Sequence, residues 1–332
     1  MSVRVLHVLE SLDPDAGSIA VCLGGLHEAL TARGLRSSSI ASPGDAVRIL
    51  GDADLVHIHG WGYERADQLA AAALKARRPY IVSPHGALTS GLYNRPTWKE
   101  RLRCLWRGRK LVRGAACITA LHALEEHDLR AWRIHPQIRV LPYGLSFGEY
   151  DGSPTADRVP PSVNRSLLML GDLHPRGGCV ALLKAVAEIG PDANGWTVVL
   201  AGKDRGGWRR MLEAAVRRKK GDDRVVFAEA PTIAEQRARL ASASVFAAPD
   251  LHIGPSVSIM QAVAMGVPVI ASTCVAPPGL EGAIRVCGPN REELRGALRS
   301  VLTLSDESRR DMGEKARTIG SAVFDWSVLA EQ

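Results

Sequence analysis

The segment from Pro249 to Ser272 combines a glycine-containing turn, a short helix and an apolar strand. The turn Ile253-Gly254-Pro255 leads into a helix that we expect to begin at Ser256. Free backbone N–H groups at a helix start, together with the helix dipole, favour the binding of a phosphate or diphosphate. Gly254, Ser256 and Ser258 are therefore predicted to bind a phosphorylated ligand.

Histidines form a second group of candidate residues. Strand alternation from Val56 to Trp61 places His57 and His59 on one face. A metal site would need a third ligand that the sequence does not supply, so we predict ligand-contacting or structural histidines and no metal. His85 follows a buried strand, and Gly86 behind it lets the loop turn sharply, so His85 is the predicted catalytic residue.

Short runs rich in Val, Ile and Leu alternate with stretches of helical period, which is typical of parallel strands covered by helices. Two such series occur, within residues 1–150 and 166–332, and a Pro-, Ser- and Asp-rich linker occupies 151–165. Each series is predicted to form one doubly wound Rossmann-like domain, and the final helix is expected to pack back toward the first. Ligands of such sheets bind beyond the carboxyl ends of the strands. Gly17, after the first strand, would let a ligand approach the backbone closely.

Composition limits the class of protein. The chain has 332 residues, of which 46% are hydrophobic and 23% charged, so two cores of ordinary size are expected. Its six cysteines form no C-x-x-C pair, which favours a reducing cytosol and no zinc site. No window is apolar enough for a membrane span, and the N-terminus leads directly into a strand, so a cytoplasmic location is predicted. The net charge of +7 indicates an anionic partner.

Five motifs resemble those of family-four glycosyltransferases, which are retaining enzymes of the GT-B fold. The stretch "QAVAMGVPVIAS" fits the end of that family's donor-sugar motif, and "LVHIHG" and "PHG" match two acceptor-domain motifs. The stretch "GDLHPRGG" resembles the family's diphosphate-binding loop, and "FDW" resembles its closing motif.

This resemblance implies two Rossmann-like domains facing a cleft. It also implies sugar transfer, with retention, from a nucleotide sugar to a glycan or lipid-linked acceptor in polysaccharide or glycoconjugate biosynthesis, without a metal or other cofactor. By the family pattern His85 faces the reacting sugar, and Gly17 and His59 lie on the acceptor side. Arg176 and Lys203 would neutralise the donor diphosphate, and Gln261 would hydrogen-bond the ribose.

Four positions depart from the family pattern. Charged residues of the family are replaced by Asp172, Gly177, Ile253 and Gln261. A carboxylate at position 172 is unfavourable beside a diphosphate, and Ile253 cannot bind a hydroxyl. A catalytically inactive GT-B-like binding or scaffold subunit is therefore the alternative to an active enzyme.

The segment from Trp98 to Arg113 is basic and has an apolar stripe. Two interpretations stay open, an ordinary covering helix and a peripheral contact with an anionic membrane. Nucleic-acid binding is not expected, because aromatic residues make up 5% of the chain and no recognisable reading module is present.

Overall fold

The computed structural model describes residues 2–13, 18–60, 66–87, 111–151, 165–174, 178–190, 195–204, 206–218, 224–229, 232–250, 256–288 and 290–331. Contacts divide the chain into two units. The first comprises Met1–Gly144 and Trp326–Gln332, and the second comprises Leu145–Asp325. No helix in the described ranges is long and apolar enough to cross a membrane.

The first unit contains a six-stranded, wholly parallel sheet in the order β2-β1-β3-β4-β5-β6. Its strands are β1 Arg4–Val8, β2 Arg36–Ile40, β3 Leu55–His59, β4 Tyr80–Ser83, β5 Cys117–Ala120 and β6 Ile138–Val140. Its helices within the described residues are α1 Ser18–Ala32, α2 Pro43–Ile49, α3 Ala66–Lys75 and α4 Ala123–Ala131.

The second unit repeats this architecture with the strand order β12-β11-β10-β7-β8-β9. Its strands are β7 Arg165–Leu170, β8 Trp196–Ala201, β9 Val225–Ala228, β10 Val245–Ala248, β11 Val269–Ser272 and β12 Arg285–Cys287. Its helices are α5 Cys179–Ile189, α6 Trp208–Arg218, α7 Ile233–Ala241, α8 Val257–Ala264, α9 Arg291–Leu302 and α10 Asp306–Phe324. A last short helix, α11 Trp326–Leu329, belongs to the first unit.

The central strands are buried on both faces, because helices cover both faces of each sheet. Val56 and Ile58 of β3 are completely buried in the first unit, and Val245 and Phe246 of β10 are completely buried in the second. The sequence analysis predicted this two-domain α/β fold from the same runs, and the prediction is confirmed.

The structure differs from the sequence analysis in four places, one of which is strand β12, because this strand was not predicted. The first unit ends at Gly144 rather than near 150, because Leu145, Phe147 and Tyr150 are buried in the core of the second unit. Helix α2 was not predicted, although Ser42 caps it through the N–H of Asp45 and a proline follows. Helix α10 was also missed, because its 19 residues are mostly polar and small and give little apolar periodicity.

Each sheet has one point at which the strand order reverses. In the first sheet this switch lies between β1 and β3, and in the second it lies between β7 and β10. A crevice opens at such a point because the crossover helices leave in opposite directions, and ligands of doubly wound sheets bind there.

Candidate active site

Four histidines converge at the switch point of the first sheet. His7 on β1 is in register with His57 on β3, and His59 is the last residue of β3. Nδ1 of His7 lies 3.0 Å from Nε2 of His59, and Nδ1 of His59 lies 3.0 Å from Nε2 of His85. The structure thus joins the predicted residues His59 and His85 and adds His7 to them.

His57 belongs to a separate polar chain. Its Nε2 lies 2.6 Å from Oγ of Ser83, which also bonds to the hydroxyl of Thr119. All three side chains are buried. These bonds hold the His57 ring, whose centroid lies 5.2 Å from that of His7 and 4.0 Å from that of His59.

His85 occupies a strained loop directly after β4. Its φ of 54° is in the left-handed region, where a residue other than glycine is uncommon, and Gly86 follows at 80°. Such conformations persist where the surrounding contacts fix them, and they cluster at functional sites. The Tyr143 ring stacks on the His85 ring, with centroids 5.4 Å apart and an interplanar angle of 9°.

Glu125 holds this loop through a hydrogen bond to its backbone. Its Oε1 accepts the N–H of Gly86 and its Oε2 accepts the N–H of Leu121, each at 2.7 Å. Glu125 is completely buried, and this burial raises the pKa of its carboxyl group while the two backbone bonds oppose the rise. One side chain therefore ties the loop after β4 to the loop after β5.

Burial keeps the imidazoles neutral. It lowers the pKa of His57 and of His85 to about 3, and it lowers those of His7 and His59 with help from the neighbouring histidines. Neutral imidazoles can bind a metal, and ligand nitrogens of His7, His57 and His59 all lie within 4.8 Å of one another. The structure therefore supplies the third imidazole that the sequence analysis did not find, while the absence of a metal stays a prediction.

A mostly apolar depression opens beside these histidines. It measures about 400 Å³ including its mouth, and His57, His59, His85 and Tyr143 line one side of it. Helix α1 and Trp326 complete the wall within the same unit. A few convergent polar groups in an apolar pocket are typical of a small-molecule site.

Near the switch point of the second sheet, the backbones of neighbouring loops lie close to each other. Gly178, at the start of α5, has φ of 79°, and a Cβ atom there would clash with the carbonyl oxygen of Pro249 after β10. A Cβ atom at Gly202, after β8, would clash with the carbonyl oxygen of Gly171, after β7. Glycine lets the loops beyond these strands pack against each other at the carboxyl edge of the sheet.

The predicted donor residues on α8 lie at and after its start. Ser256 is the residue preceding the helix, its hydroxyl makes no capping hydrogen bond, and Ser258 lies in the first turn. Gln261, in contrast, is buried, and its Nε2 donates to Oη of Tyr150 at 3.3 Å. The structure therefore shows Gln261 in a packing contact, and its ribose role stays a prediction.

Two carboxyl groups share the edge of the second sheet. Burial raises the pKa of Asp250, which follows β10, to about 7, and the charge of Asp172, which follows β7, adds to this rise. The carbonyl oxygen of Lys203, after β8, accepts the N–H of Leu173 at 3.0 Å. Asp172 thus lies in a loop at the switch point, and Lys203 lies in the loop after the neighbouring strand β8, where its donor-binding role stays a prediction.

Several predicted residues lie outside the described ranges. These are Gly17, Arg176 and Gly254, together with the substituted positions Gly177 and Ile253. Of the basic segment from Trp98 to Arg113, only residues 111–113 are described, and Leu111 and Val112 are buried there. The linker is described only at Asp151 and Arg165.

Sequence reasoning missed His7, Glu125 and Tyr143. His7 could have been found from the sequence. Strands β1 and β3 are neighbours at the switch point of a doubly wound sheet, and His7 pairs with His57 across them. Glu125 and Tyr143 had no such signal. Each reaches His85 only through the packing of separate loops.

Comparison with known proteins gives matches over most of the chain. Residues 13–144 match the model described as "Glycosyl transferase 4-like domain", and residues 164–303 match the model described as "Glycosyl transferases group 1". Two relatives are GDP-mannose:cellobiosyl-diphosphopolyprenol alpha-mannosyltransferases. That of Xanthomonas oryzae pv. oryzae is 25% identical over 85% of this chain and 72% of its own length. That of Xanthomonas campestris is 24% identical over 82% and 71%.

Solved structures share the fold at low sequence identity. Sucrose-phosphate synthase from Thermosynechococcus elongatus has a TM-score of 0.75 at 19% identity, covering 99% of this chain and 97% of that one. Anabaena HepE in complex with UDP and glucose has a TM-score of 0.76 at 17% identity, covering 99% and 98%.

Proposed function

Because the chain belongs to the family-four glycosyltransferases of the GT-B fold, we propose that it transfers a sugar from a nucleotide diphosphate to a hydroxyl of a lipid-linked glycan, with retention. The product would serve polysaccharide or glycoconjugate biosynthesis. We assign the donor nucleotide to the second unit and a sugar-contacting role to the histidine cluster of the first unit.

The observation that carries this proposal is the switch point of the second sheet. Helices α5 and α8 each follow a strand of a parallel sheet, so both begin at its carboxyl edge, and Pro249 packs on Gly178 at that edge. Two helix starts at one edge of the sheet suit a diphosphate. Lys203 and Arg176 add positive charge, which replaces a metal ion in holding the leaving diphosphate.

The donor class follows from the relatives. Both are named for GDP-mannose as donor and for a glycan on diphosphopolyprenol as acceptor. We therefore assign a GDP-sugar as donor and a polyprenol-diphosphate-linked glycan as acceptor. A preference for UDP-sugars is the alternative outcome of the test.

Binding is tested first by the thermal midpoint of unfolding with GDP, UDP, GDP-mannose and UDP-glucose. A ligand at a hundred times its Kd stabilises the folded protein by about 2.7 kcal/mol, so the preferred nucleotide raises the midpoint by several degrees. Transfer is then measured with GDP-mannose and a short-chain polyprenol-diphosphate glycan, with and without EDTA. We expect turnover that EDTA does not abolish and a product with the anomeric configuration of the donor.

Two serine variants test the role of the α8 start. Ser256→Ala removes a hydroxyl that makes no capping bond, so it should weaken GDP binding severalfold and leave stability nearly unchanged. The control is Ser305→Ala, because Ser305 caps α10 by accepting the N–H of Ser308 at 3.1 Å. This control should lose about 1 kcal/mol of stability and keep its GDP affinity. If Ser256→Ala kept its GDP affinity and Ser305→Ala lost it, the nucleotide would bind elsewhere.

His85→Gly tests the enzyme against an inactive binding subunit. Glycine accepts the left-handed backbone of position 85, whereas alanine would be strained there. Turnover should fall by about a hundredfold or more, the lower range for loss of a positioned acid–base group. Arg133→Gly, at another left-handed position of the same unit, should keep full turnover. If the unaltered protein binds nucleotide but transfers no sugar to any acceptor, the inactive subunit is the correct reading.

A further inference from the structure

Three of these histidines form a continuous chain of nitrogen contacts. Nδ1 of His7 meets Nε2 of His59, and Nδ1 of His59 meets Nε2 of His85, both at 3.0 Å. The two end nitrogens, Nε2 of His7 and Nδ1 of His85, are buried and lack a hydrogen-bond partner within the described ranges. His7 lies at the closed end, and His85 lines the depression.

Proton counting restricts this chain to two arrangements. A neutral imidazole carries one proton, so each ring is a donor at one nitrogen and an acceptor at the other. Each of the two contacts needs one donor and one acceptor. The rings therefore carry their protons either all on Nε2 or all on Nδ1, and a single polarity runs from His7 to His85.

The two arrangements give Nδ1 of His85 opposite hydrogen-bonding roles. With all protons on Nε2, the Nδ1 of His85 has a free lone pair and accepts a hydrogen bond from a ligand hydroxyl. With all protons on Nδ1, that atom is a donor and matches a carbonyl or phosphate oxygen. The Nε2–H form is the intrinsically favoured tautomer of a neutral histidine side chain, and it matches the hydroxyl groups of a sugar.

We propose that His7 and His59 are positioning residues that hold His85 in its Nε2–H tautomer, so that Nδ1 of His85 accepts a hydrogen bond from a sugar hydroxyl. The proposal rests on the sugar-transfer function for the identity of the ligand. The tautomer itself is a property of the unliganded protein. Because one polarity serves the whole chain, a change at His7 acts on His85 through His59 without touching the ligand.

Nitrogen-15 NMR of histidine-labelled protein at neutral pH tests the proposal directly, because protonated and unprotonated ring nitrogens differ widely in chemical shift. We expect His7, His59 and His85 each to show a single Nε2–H tautomer. The exposed His127 serves as the internal reference for a side chain that exchanges freely between forms. Unequal tautomers among the three rings, or an all-Nδ1–H chain, would overturn the assignment.

A pair of variants at His7 tests the coupling. His7→Asn keeps a hydrogen-bonding group near the former Nδ1, whereas His7→Leu removes it. In His7→Leu the tautomers of His59 and His85 should become mixed, and kcat should fall by about ten- to a hundredfold, the range seen when a partner that fixes a histidine tautomer is lost. The KM for donor should change little, and His7→Asn should restore both readouts. If His7→Leu does not fold, the wild-type tautomers and the Asn variant still decide the question.

Zinc titration tests the alternative that His7, His57 and His59 bind a metal ion. A metal would take the lone pairs of His7, His57 and His59 and would shift their nitrogen signals together at one equivalent. That result would replace the proton chain by a metal site. Unchanged signals with Zn²⁺ support the proposal, and they do so whether or not a sugar donor has been found.

Discussion

At the scale of single residues, Glu125 holds the backbone of the loop that carries His85. It follows His122, whose Nδ1 accepts the N–H of Glu125 at 3.2 Å and so caps helix α4. The first turn of this helix thus presents a carboxyl group to the backbone of two loops. The hydrogen bond from Gly86, the next residue in the chain, to Glu125 helps to hold His85 in its left-handed conformation.

Replacing this carboxyl group by an amide should be costly. In Glu125→Gln one backbone N–H of Gly86 or Leu121 would face an NH₂ group, and a buried donor without an acceptor costs about 1 to 3 kcal/mol. Glu126→Gln is the matched control, because Glu126 pairs only with Arg130 on the helix surface and such pairs contribute about 0.5 kcal/mol or less. Urea unfolding of both variants measures the difference. Equal stabilities would show that Glu125 does not hold the two loops.

We expect Asp250 to make the binding of GDP dependent on pH. Its pKa of about 7 means that the carboxyl group is neutral below pH 7 and charged above it. A charged Asp250 beside Asp172 repels a diphosphate, so affinity for GDP should be severalfold higher at pH 6.5 than at pH 8. Asp250→Asn should flatten this dependence and bind at pH 8 as tightly as at pH 6.5. Calorimetric titration at the two pH values provides the measurement. If the GDP affinity of Asp250→Asn changed with pH as it does in the unaltered protein, the prediction would be wrong.

At the scale of elements, the start of helix α5 depends on a glycine for two separate reasons. Gly178 has a left-handed backbone, which strains any residue with a side chain, and it also lies against the Pro249 carbonyl. Gly190, at the other end of the same helix, has a similar φ of 66° but has open space where a Cβ atom would lie. The two glycines therefore separate backbone strain from close approach.

Alanine substitution should separate these contributions. Gly190→Ala should lose about 1 to 3 kcal/mol, the cost of holding a residue with a Cβ atom in a sparsely populated backbone region, here φ of 66° with ψ of −129°. Gly178→Ala should lose distinctly more and should also weaken GDP binding, because the loops after β7 and β10 must move apart. Urea unfolding and calorimetric titration give the two numbers. Equal losses and unchanged GDP affinity would show that this approach has no part in the nucleotide site.

At the scale of the whole molecule, the chain leaves the first unit once and returns to it at its end. Leu145 donates its N–H to the Phe324 carbonyl at 3.0 Å, so the outgoing and returning segments pair within the second unit. Trp326 then packs its ring on Gly144, where no side chain would fit, and reaches the wall of the histidine depression. Residues far apart in sequence thus complete the first unit.

Two tryptophan variants test whether the units are stabilised separately. Trp326→Ala should lower hydrogen-exchange protection in β1 and β3 to β5, since truncating a buried tryptophan costs about 3 to 5 kcal/mol. Trp196→Ala is the counterpart, because Trp196 is buried in the second unit, and it should lower protection in β7 and β8. Loss of protection in both units from either variant would indicate one cooperative structure.

The sequence by itself determined the two sheets and the placement of the candidate residues after strands. The run of β10 is apolar throughout, and a parallel sheet covered on both faces buries such a run. Motif resemblance gave the family, and the comparisons confirmed it. The same reasoning placed His59 and His85 together, because parallel strands end at one edge.

Only the tertiary structure decided which side chains reach one another. Strand periodicity fixes the face of a residue but not its neighbours on other strands, so the contact of His7 with His59 could not be read from either segment. The burial of Gln261 against Tyr150 likewise depends on a residue 111 positions away. Hydrogen bonds of this kind have a range of about 3 Å, so they depend on packing within each unit and leave no periodic trace in the sequence.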